Sequence, residues 1–448
     1  MAGDAMSGLR SEGDVNLSAA RVAWSDGQLD AGTRALLTED ARYFLHQSLS
    51  TPCLNALNAV DGARIEDMQG RRYLDFHGNS VHQVGYSNPS VIQAIKDQLD
   101  ALSFCPRRYT NRPAVTLAKK LSELAPGNLG KVLFAPGGTS AIGMALKIAR
   151  VATGRFKTIS MWESFHGASL DAISIGGEAM FRRGIGPLLP GTEHVPPPDA
   201  GHCPFGCGGT CTLRCAEYVN YVLEREGDVG AVIAETVRCT PFIPPVEYWR
   251  IVREACDRHG ALLILDEIPI GLGRTGKMFA CEHYGIVPDI LVIGKGLGGG
   301  VLPLAAMITR DDLDIAGDHS LGHYTHEKNP VLCAAGLATI AYLEEHRLVD
   351  RAAELGEYAA VALNSLRERH AIIGGVRGLG LLLGVELNRA DGSRAVDEAE
   401  RVMYACLERG LSFKTTMGNI LTLTPPLTVT KAELDEAIGI LDASLETV

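Results

Sequence analysis

A lysine and an aspartate, each set where an apolar run stops, are the residues in this sequence best placed to do chemistry. Leu262-Leu263-Ile264-Leu265 ends on Asp266, and Ile290-Leu291-Val292-Ile293-Gly294 ends on Lys295, ahead of Gly296-Leu297-Gly298-Gly299-Gly300. Runs so rich in Ile, Leu and Val predict strands buried on both faces, and ligands of open parallel sheets sit beyond the carboxyl ends of such strands. Both polar groups then face the ligand crevice, where a lysine is costly to bury and an aspartate is a natural partner. The cofactor that uses this pair is pyridoxal 5'-phosphate (PLP). Its aldehyde forms a Schiff base with a lysine, and an aspartate keeps its ring nitrogen protonated so that the ring can accept electrons. For a lone Lys-Gly pair, a surface lysine and a turn-capping aspartate would be the plainer reading.

Several elements have to position that pair. Val132-Leu133-Phe134-Ala135 followed by Pro136-Gly137-Gly138-Thr139-Ser140 and then Ala141 to Lys147 predicts a strand, a Gly-rich turn and a helix. Small residues let backbone approach a phosphate, and the helix N-terminus offers free N–H groups, so Gly138 and Thr139 are the phosphate-cup candidates. Gly230 to Thr236 predicts another buried strand, ending on the carboxylate of Glu235. Residues 65–76 read as two strand-like runs around a Gln-Gly turn, and a helix opens at Ser90.

Asp266-Glu267-Ile268-Pro269-Ile270-Gly271-Leu272-Gly273-Arg274-Thr275-Gly276-Lys277 and Gly294 to Gly300 resemble the two signature blocks of the class-III aminotransferase family. The resemblance covers roughly residues 45 to 445. It implies an α/β fold-type-I PLP-dependent transferase, with a mostly parallel central sheet, helices on both faces and a smaller α+β domain. The domains implied are an N-terminal segment 1-75 contributing to the small domain, a large PLP-binding domain 76-345 and a C-terminal small domain 346-448. Lys295 and Asp266 would be catalytic. Gly138, Thr139, Phe165, His166, Glu235, Ile268 and Thr325 would join them around the cofactor, with Phe165 and Ile268 covering opposite faces of its ring. Thr325 would reach the phosphate of a neighbouring subunit's cofactor, which implies a homodimer or a dimer of dimers.

Three departures from the family pattern bear on the reaction. Ser140 stands where glutamate is usual, Arg238-Cys239-Thr240-Pro241 replaces a loop that carries a gating glutamate, and Thr422 replaces an arginine that binds the carboxylate of 2-oxoglutarate. Gly137-Gly138-Thr139-Ser140, Leu321 to Pro330 and Asp266 to Pro269 together are similar to a branch of the family that contains a hydroxy-aminophosphonate ammonia-lyase. That similarity implies a PLP-dependent lyase that removes the hydroxyl of a 2-amino-1-hydroxy phosphonate and releases ammonia and phosphonoacetaldehyde. The alternative is an aminotransferase moving an amino group from a primary amine to a keto acid. An anionic amine substrate would draw on Arg107, Arg108, His326 and Lys328, with Asn79 in the entry segment. For the adjacent arginines and for His326-Glu327-Lys328, solvated loops are the competing reading.

Composition sets the outer bounds. With 46% hydrophobic and 21% charged residues the chain reads as an ordinary globular protein, and a net charge of −11 argues against nucleic acid as a partner. No apolar run is long enough to span a membrane and the start, Met1 to Gly8, lacks a secretory pattern, so a cytoplasmic protein is expected. Eleven cysteines, most of them isolated, suggest reduced thiols. Cys203, Cys207, Cys211 and Cys215 recur every fourth residue. They could converge on zinc or stay free thiols, and no residue is assigned to a metal.

Overall fold

Seven short strands make the sheet that carries the two strand ends. They are β1 (Leu129–Ala135), β2 (Lys157–Met161), β3 (Thr192–Val195), β4 (Val229–Glu235), β5 (Leu262–Asp266), β6 (Ile290–Ile293) and β7 (Ala305–Arg310), in the spatial order β1-β7-β6-β5-β4-β2-β3. The computed structural model describes residues 18–448, so the first 17 residues of the expected N-terminal segment lie outside it. β2, β3, β4, β5 and β6 pair in parallel, and β7 runs antiparallel to β1 and β6. Every residue of β4, β5 and β6 is buried, as their unbroken apolar runs require of strands covered on both faces. Register sets Glu235 beside Asp266 and Asp266 beside Val292, bringing the polar strand ends to one edge.

The helix Gly138–Thr153 lays Ala141, Ile142, Ala145 and Ile148 into the same apolar core as Ile233, Ile264 and Val292. It ends at Gly154, whose left-handed φ of 66° suits glycine and whose N–H returns to the Arg150 carbonyl. On another side, helix Val246–His259 buries Tyr248, Trp249, Val252, Ala255 and Cys256, a helical spacing of one face. Trp249 Nε1 donates to the Thr236 carbonyl at 2.9 Å, which fixes the chain just past β4. Asp289, nearly buried, accepts from Leu263 N at 2.6 Å, Arg253 Nη1 at 2.8 Å and Arg310 Nη1 at 2.6 Å, tying the start of β6 to β5 and to the end of β7.

This sheet and its helices form one compact unit, Pro89–Asp350; the described residues up to Asn88 form another with Arg351–Val448. The first boundary falls at Asn88 because the segment after Asp75 stays with its strand: Tyr86 donates to Asp75 Oδ2 at 2.6 Å and pairs with Gly62. The second unit carries two four-stranded sheets. One contains the expected pair Arg64–Asp67 and Arg72–Asp75 around Gly70, at φ 77°. The stretch 376–387, which reads as a single strand with glycine breaks, folds as an antiparallel pair, Ile373–Leu379 and Leu382–Leu387, turning at Gly380 with φ 55°. Thr422 is buried in that second sheet, where its hydroxyl meets that of Thr416 at 2.7 Å.

Candidate active site

Asp266, the last residue of β5, is 2% exposed, and both its oxygens are held. His166 Nδ1 donates to Oδ2 at 2.8 Å and the Ile268 N–H donates to Oδ1 at 3.0 Å. These bonds hold the carboxylate in one orientation. His166 Nε2 is buried and has no hydrogen-bond partner among the described residues, a costly arrangement unless another polar group meets it.

The next residue, Glu267, is an anchor of the loop. It is fully buried and accepts from Thr236 Oγ1 at 2.8 Å, Ala280 N at 2.6 Å and Cys281 N at 2.8 Å. Burial pushes its carboxyl up to about 7, against the pull of those donors. Glu267→Gln would turn an amide N–H toward donors that need an acceptor, so the variant is expected to lose about 2 kcal/mol of stability. Denaturant melts of the two proteins check this, and an unchanged midpoint would show that the anchor is dispensable.

Lys295 follows β6 after one residue, Gly294. It is exposed, adopts a left-handed φ of 43°, and makes no hydrogen bond or ion pair among the described residues. Its amine is thus available to a ligand. Ile268 links the lysine strand to the Gly-rich turn. A Cβ at Gly138 would stand 2.7 Å from its Cδ1, and one at Gly294 would stand 3.3 Å from its Cγ2. Glycine at both places lets Ile268 fill the gap between them.

Helix Gly138–Thr153 begins with no side-chain cap at Gly137. The first N–H groups of a helix find no partner within it and carry the positive end of its dipole. Space beside Gly137 is open, with no atom within 4 Å of where a Cβ would be. The Thr139 hydroxyl shares a 2.8 Å hydrogen bond with Ser169, so its side chain is engaged with the loop after His166. A Cβ at Gly167, φ 129°, would collide with that side chain, which accounts for the glycine next to His166.

Phe165 is 38% exposed and packs on Phe181 with ring centroids 4.4 Å apart. Glu235 is buried, accepts from the Cys239 N–H at 3.3 Å, and lies 4.0 Å from Arg238 Nε. Arg238 also reaches Glu163 Oε2 at 3.2 Å and the Glu163 carbonyl. The arginine of the replaced loop therefore clamps Glu163, itself at φ 63°, two residues before Phe165. Nothing in the sequence signals this contact across seventy-five positions.

The other expected residues collect on two loops. Arg107 Nη2 meets His323 Nε2 at 2.7 Å, Phe104 packs edge-on against His326 at 5.4 Å, and Asn111 Nδ2 donates to the Lys328 carbonyl at 2.8 Å. Arg108, Thr325, His326 and Lys328 are all exposed. These two loops carry the cluster of expected residues, and His323 and Phe104, which sequence reasoning missed as site residues, make contacts between them. No hydrogen bond, ion pair or ring contact joins this cluster to Asp266, His166 or Lys295 among the described residues. Asn79 belongs to the other unit, exposed on a short turn at φ 47°.

The site fits a phosphorylated pyridine aldehyde. It offers a free amine, a buried oriented carboxylate, an unpaired imidazole nitrogen, an uncapped helix N-terminus beside open space, and a half-exposed aromatic ring. The family model for class-III aminotransferases matches residues 47–445. The chain belongs to the class-III aminotransferase family. Members of this family depend on PLP, and this chain is a PLP enzyme.

It is similar to the (R)-1-hydroxy-2-aminoethylphosphonate ammonia-lyase of Vibrio splendidus (strain 12B01), 48% identical over 98% of this chain and 96% of that one. It is also similar to the leucine/methionine racemase of Thermococcus litoralis, 38% identical over 86% and 89% of the two chains. Among solved structures, an amine transaminase from an uncultivated Pseudomonas species in its PLP-bound form matches with a TM-score of 0.85, at 30% identity over 90% and 98% of the chains. The class-III fold thus hosts transamination, racemization and elimination on related chains. Among the described residues no helix is long and apolar enough to cross a membrane.

Proposed function

We propose that this class-III enzyme is an ammonia-lyase acting on a 2-amino-1-hydroxy phosphonate, and that it releases ammonia and phosphonoacetaldehyde. The observation that carries the reading is the near full-length similarity to the Vibrio splendidus ammonia-lyase. Two features of this chain support it. The position of the keto-acid arginine holds Thr422, buried against Thr416, and Arg107, Arg108 and Lys328, with the imidazole of His326, supply the several donors that a phosphonate dianion favours.

When bound, PLP supplies an aldehyde for the substrate amine and a ring that takes up electrons. Gly138 and Thr139 at the helix start would hold its phosphate, with backbone N–H groups as donors. Asp266, oriented by His166 and the Ile268 N–H, would supply the negative charge for its ring nitrogen, and Phe165 and Ile268 would confine the ring. Lys295 Nζ takes the proton from the carbon that bears the amine. The hydroxyl on the neighbouring carbon leaves as water, a water returns, and ammonia departs, so the substrate is converted to aldehyde plus ammonia with no second substrate. Thr325 serves the cofactor of a second subunit in a homodimer or larger assembly.

The test mixes the purified holoenzyme with 1-hydroxy-2-aminoethylphosphonate and no keto acid, and follows ammonia. Many equivalents of ammonia per enzyme, with an equal amount of phosphonoacetaldehyde, are expected. Product limited to one equivalent of cofactor, restored to turnover by adding a keto acid, would make the chain an aminotransferase instead.

A further inference from the structure

His166 leaves the sheet from β2 and meets Asp266 at the end of β5, yet β4 lies between those two strands. All three run parallel, so their carboxyl ends share one edge and the segment 162–166 has to cross the end of β4. It spans two interstrand spacings, about 9.5 Å, in a handful of residues. Glu235 is the last residue of the strand being crossed, and Arg238 follows it by one short turn.

The crossing is held by the buried guanidinium of Arg238. Its Nη1 donates to Glu163 Oε2 at 3.2 Å and its Nη2 to the Glu163 carbonyl, while its Nε lies 4.0 Å from Glu235 Oε1. One planar fork thus grips both the side chain and the backbone of Glu163, which fixes orientation as well as position. The grip falls on a residue that needs it. Glu163 has a left-handed φ of 63°, a conformation that a residue with a Cβ keeps only when its surroundings impose it. Arg238 is itself anchored, for it exchanges backbone hydrogen bonds of 3.1 and 3.2 Å with Phe242 and lies over that ring at 5.5 Å from the centroid. Ser164 adds a tether on the other side, its Oγ donating to the Met161 carbonyl at 2.8 Å. His166 comes two residues later.

We propose that Arg238 is a positioning residue of the cofactor site: by pinning Glu163 over the end of β4 it sets His166 against Asp266. The proposal rests on the reading that Asp266 serves the ring nitrogen of PLP. It goes beyond that reading by making cofactor binding depend on the shortened loop, through a residue with no hydrogen bond or ion pair to Asp266 or Lys295 among the described residues. Charge alone does not do this. A lysine would place a cation between the two glutamates, but its single nitrogen cannot bridge the carboxylate and the carbonyl of Glu163 as the arginine fork does.

The experiment reads cofactor binding without substrate, so it is independent of whether the reaction is elimination or transamination. Apoprotein is titrated with PLP, and the visible circular dichroism of the bound cofactor is recorded. Arg238→Gln is expected to weaken binding by about tenfold and to alter the dichroism band. In His166→Phe protein, where the bond to Asp266 is already gone, the same substitution is expected to change affinity by less than about twofold. Arg238→Lys should recover only a small part of the loss. Glu163→Gln keeps the bond to the carbonyl and covers the case in which Arg238→Gln does not fold; a loss of about threefold is expected, again absent beside His166→Phe. Asp266→Asn is the control for the underlying reading. A change there with none in Arg238→Gln or Glu163→Gln would overturn the positioning role alone, whereas no change in Asp266→Asn would overturn the cofactor reading and this role with it. Losses of equal size with and without His166, or wild-type binding by Arg238→Lys, would also overturn the proposal.

Discussion

Lys295→Ala is expected to reduce turnover by about 10^4-fold or more and to remove the visible absorption of lysine-bound cofactor. The size follows from how many tasks converge on one amine. Lys295 is the lysine that β6 delivers to the strand-end edge, one residue past Ile290–Ile293, and it has no competing partner among the described residues. In the proposed reaction the same Nζ anchors the cofactor and then moves the proton at the substrate carbon. Its removal leaves both tasks undone, whereas the loss of a group that only binds would raise KM and spare kcat. Added methylamine should restore a little of the proton transfer. A variant that kept its absorption band and turned over within tenfold of wild type would show that another lysine does this work.

Asp266→Asn should cost about 10^3-fold in kcat with the fold intact, the scale expected when a preorganised charge is removed from a buried site. Asparagine keeps the shape and can still accept from His166 Nδ1 or the Ile268 N–H, so packing around β5 has little reason to change. What it cannot do is carry the negative charge that keeps a ring nitrogen protonated. The outcome separates this residue from its neighbour, because Glu267→Gln acts on stability through three internal donors while Asp266→Asn acts on turnover. Spectra of the bound cofactor and kcat are the measurements, alongside a melt. Activity within tenfold of wild type would mean that the carboxylate only shapes the loop.

Much of this was legible in order along the chain, and the reason is local. β5 and β6 are buried on both faces, so their runs of Leu, Ile and Val could hardly be read as anything else, and a polar residue at the end of each marked the edge of the sheet. The Gly-rich turn into helix Gly138–Thr153 was legible for the same reason, since the small residues and the helix opening are contiguous. The division of the stretch after Ile373 into two strands was not, because a glycine at 380 is equally compatible with a kink and with a turn until the partner strand is known.

Contacts made across the fold were illegible in a deeper sense. His166 orients Asp266 from a hundred residues away, and Arg107 finds His323 from still farther. No periodicity or propensity encodes such pairs; they exist because β2 and β5 lie in one sheet, or because two loops meet. The same holds for Arg238, whose appearance in a shortened loop was visible while its clamp on Glu163 was not. Thr139 shows the limit at a single residue, since its place at the helix start was plain but the turn of its hydroxyl toward Ser169 depended on Gly167.

Reduction of the holoenzyme with borohydride, followed by digestion and mass spectrometry, tests the central claim most directly. The reduced cofactor is expected on the peptide that contains Lys295, and on that residue alone. Its appearance on a different lysine, or an unmodified Lys295 peptide from fully loaded enzyme, would contradict the account of the strand-end pair on which the proposed reaction rests.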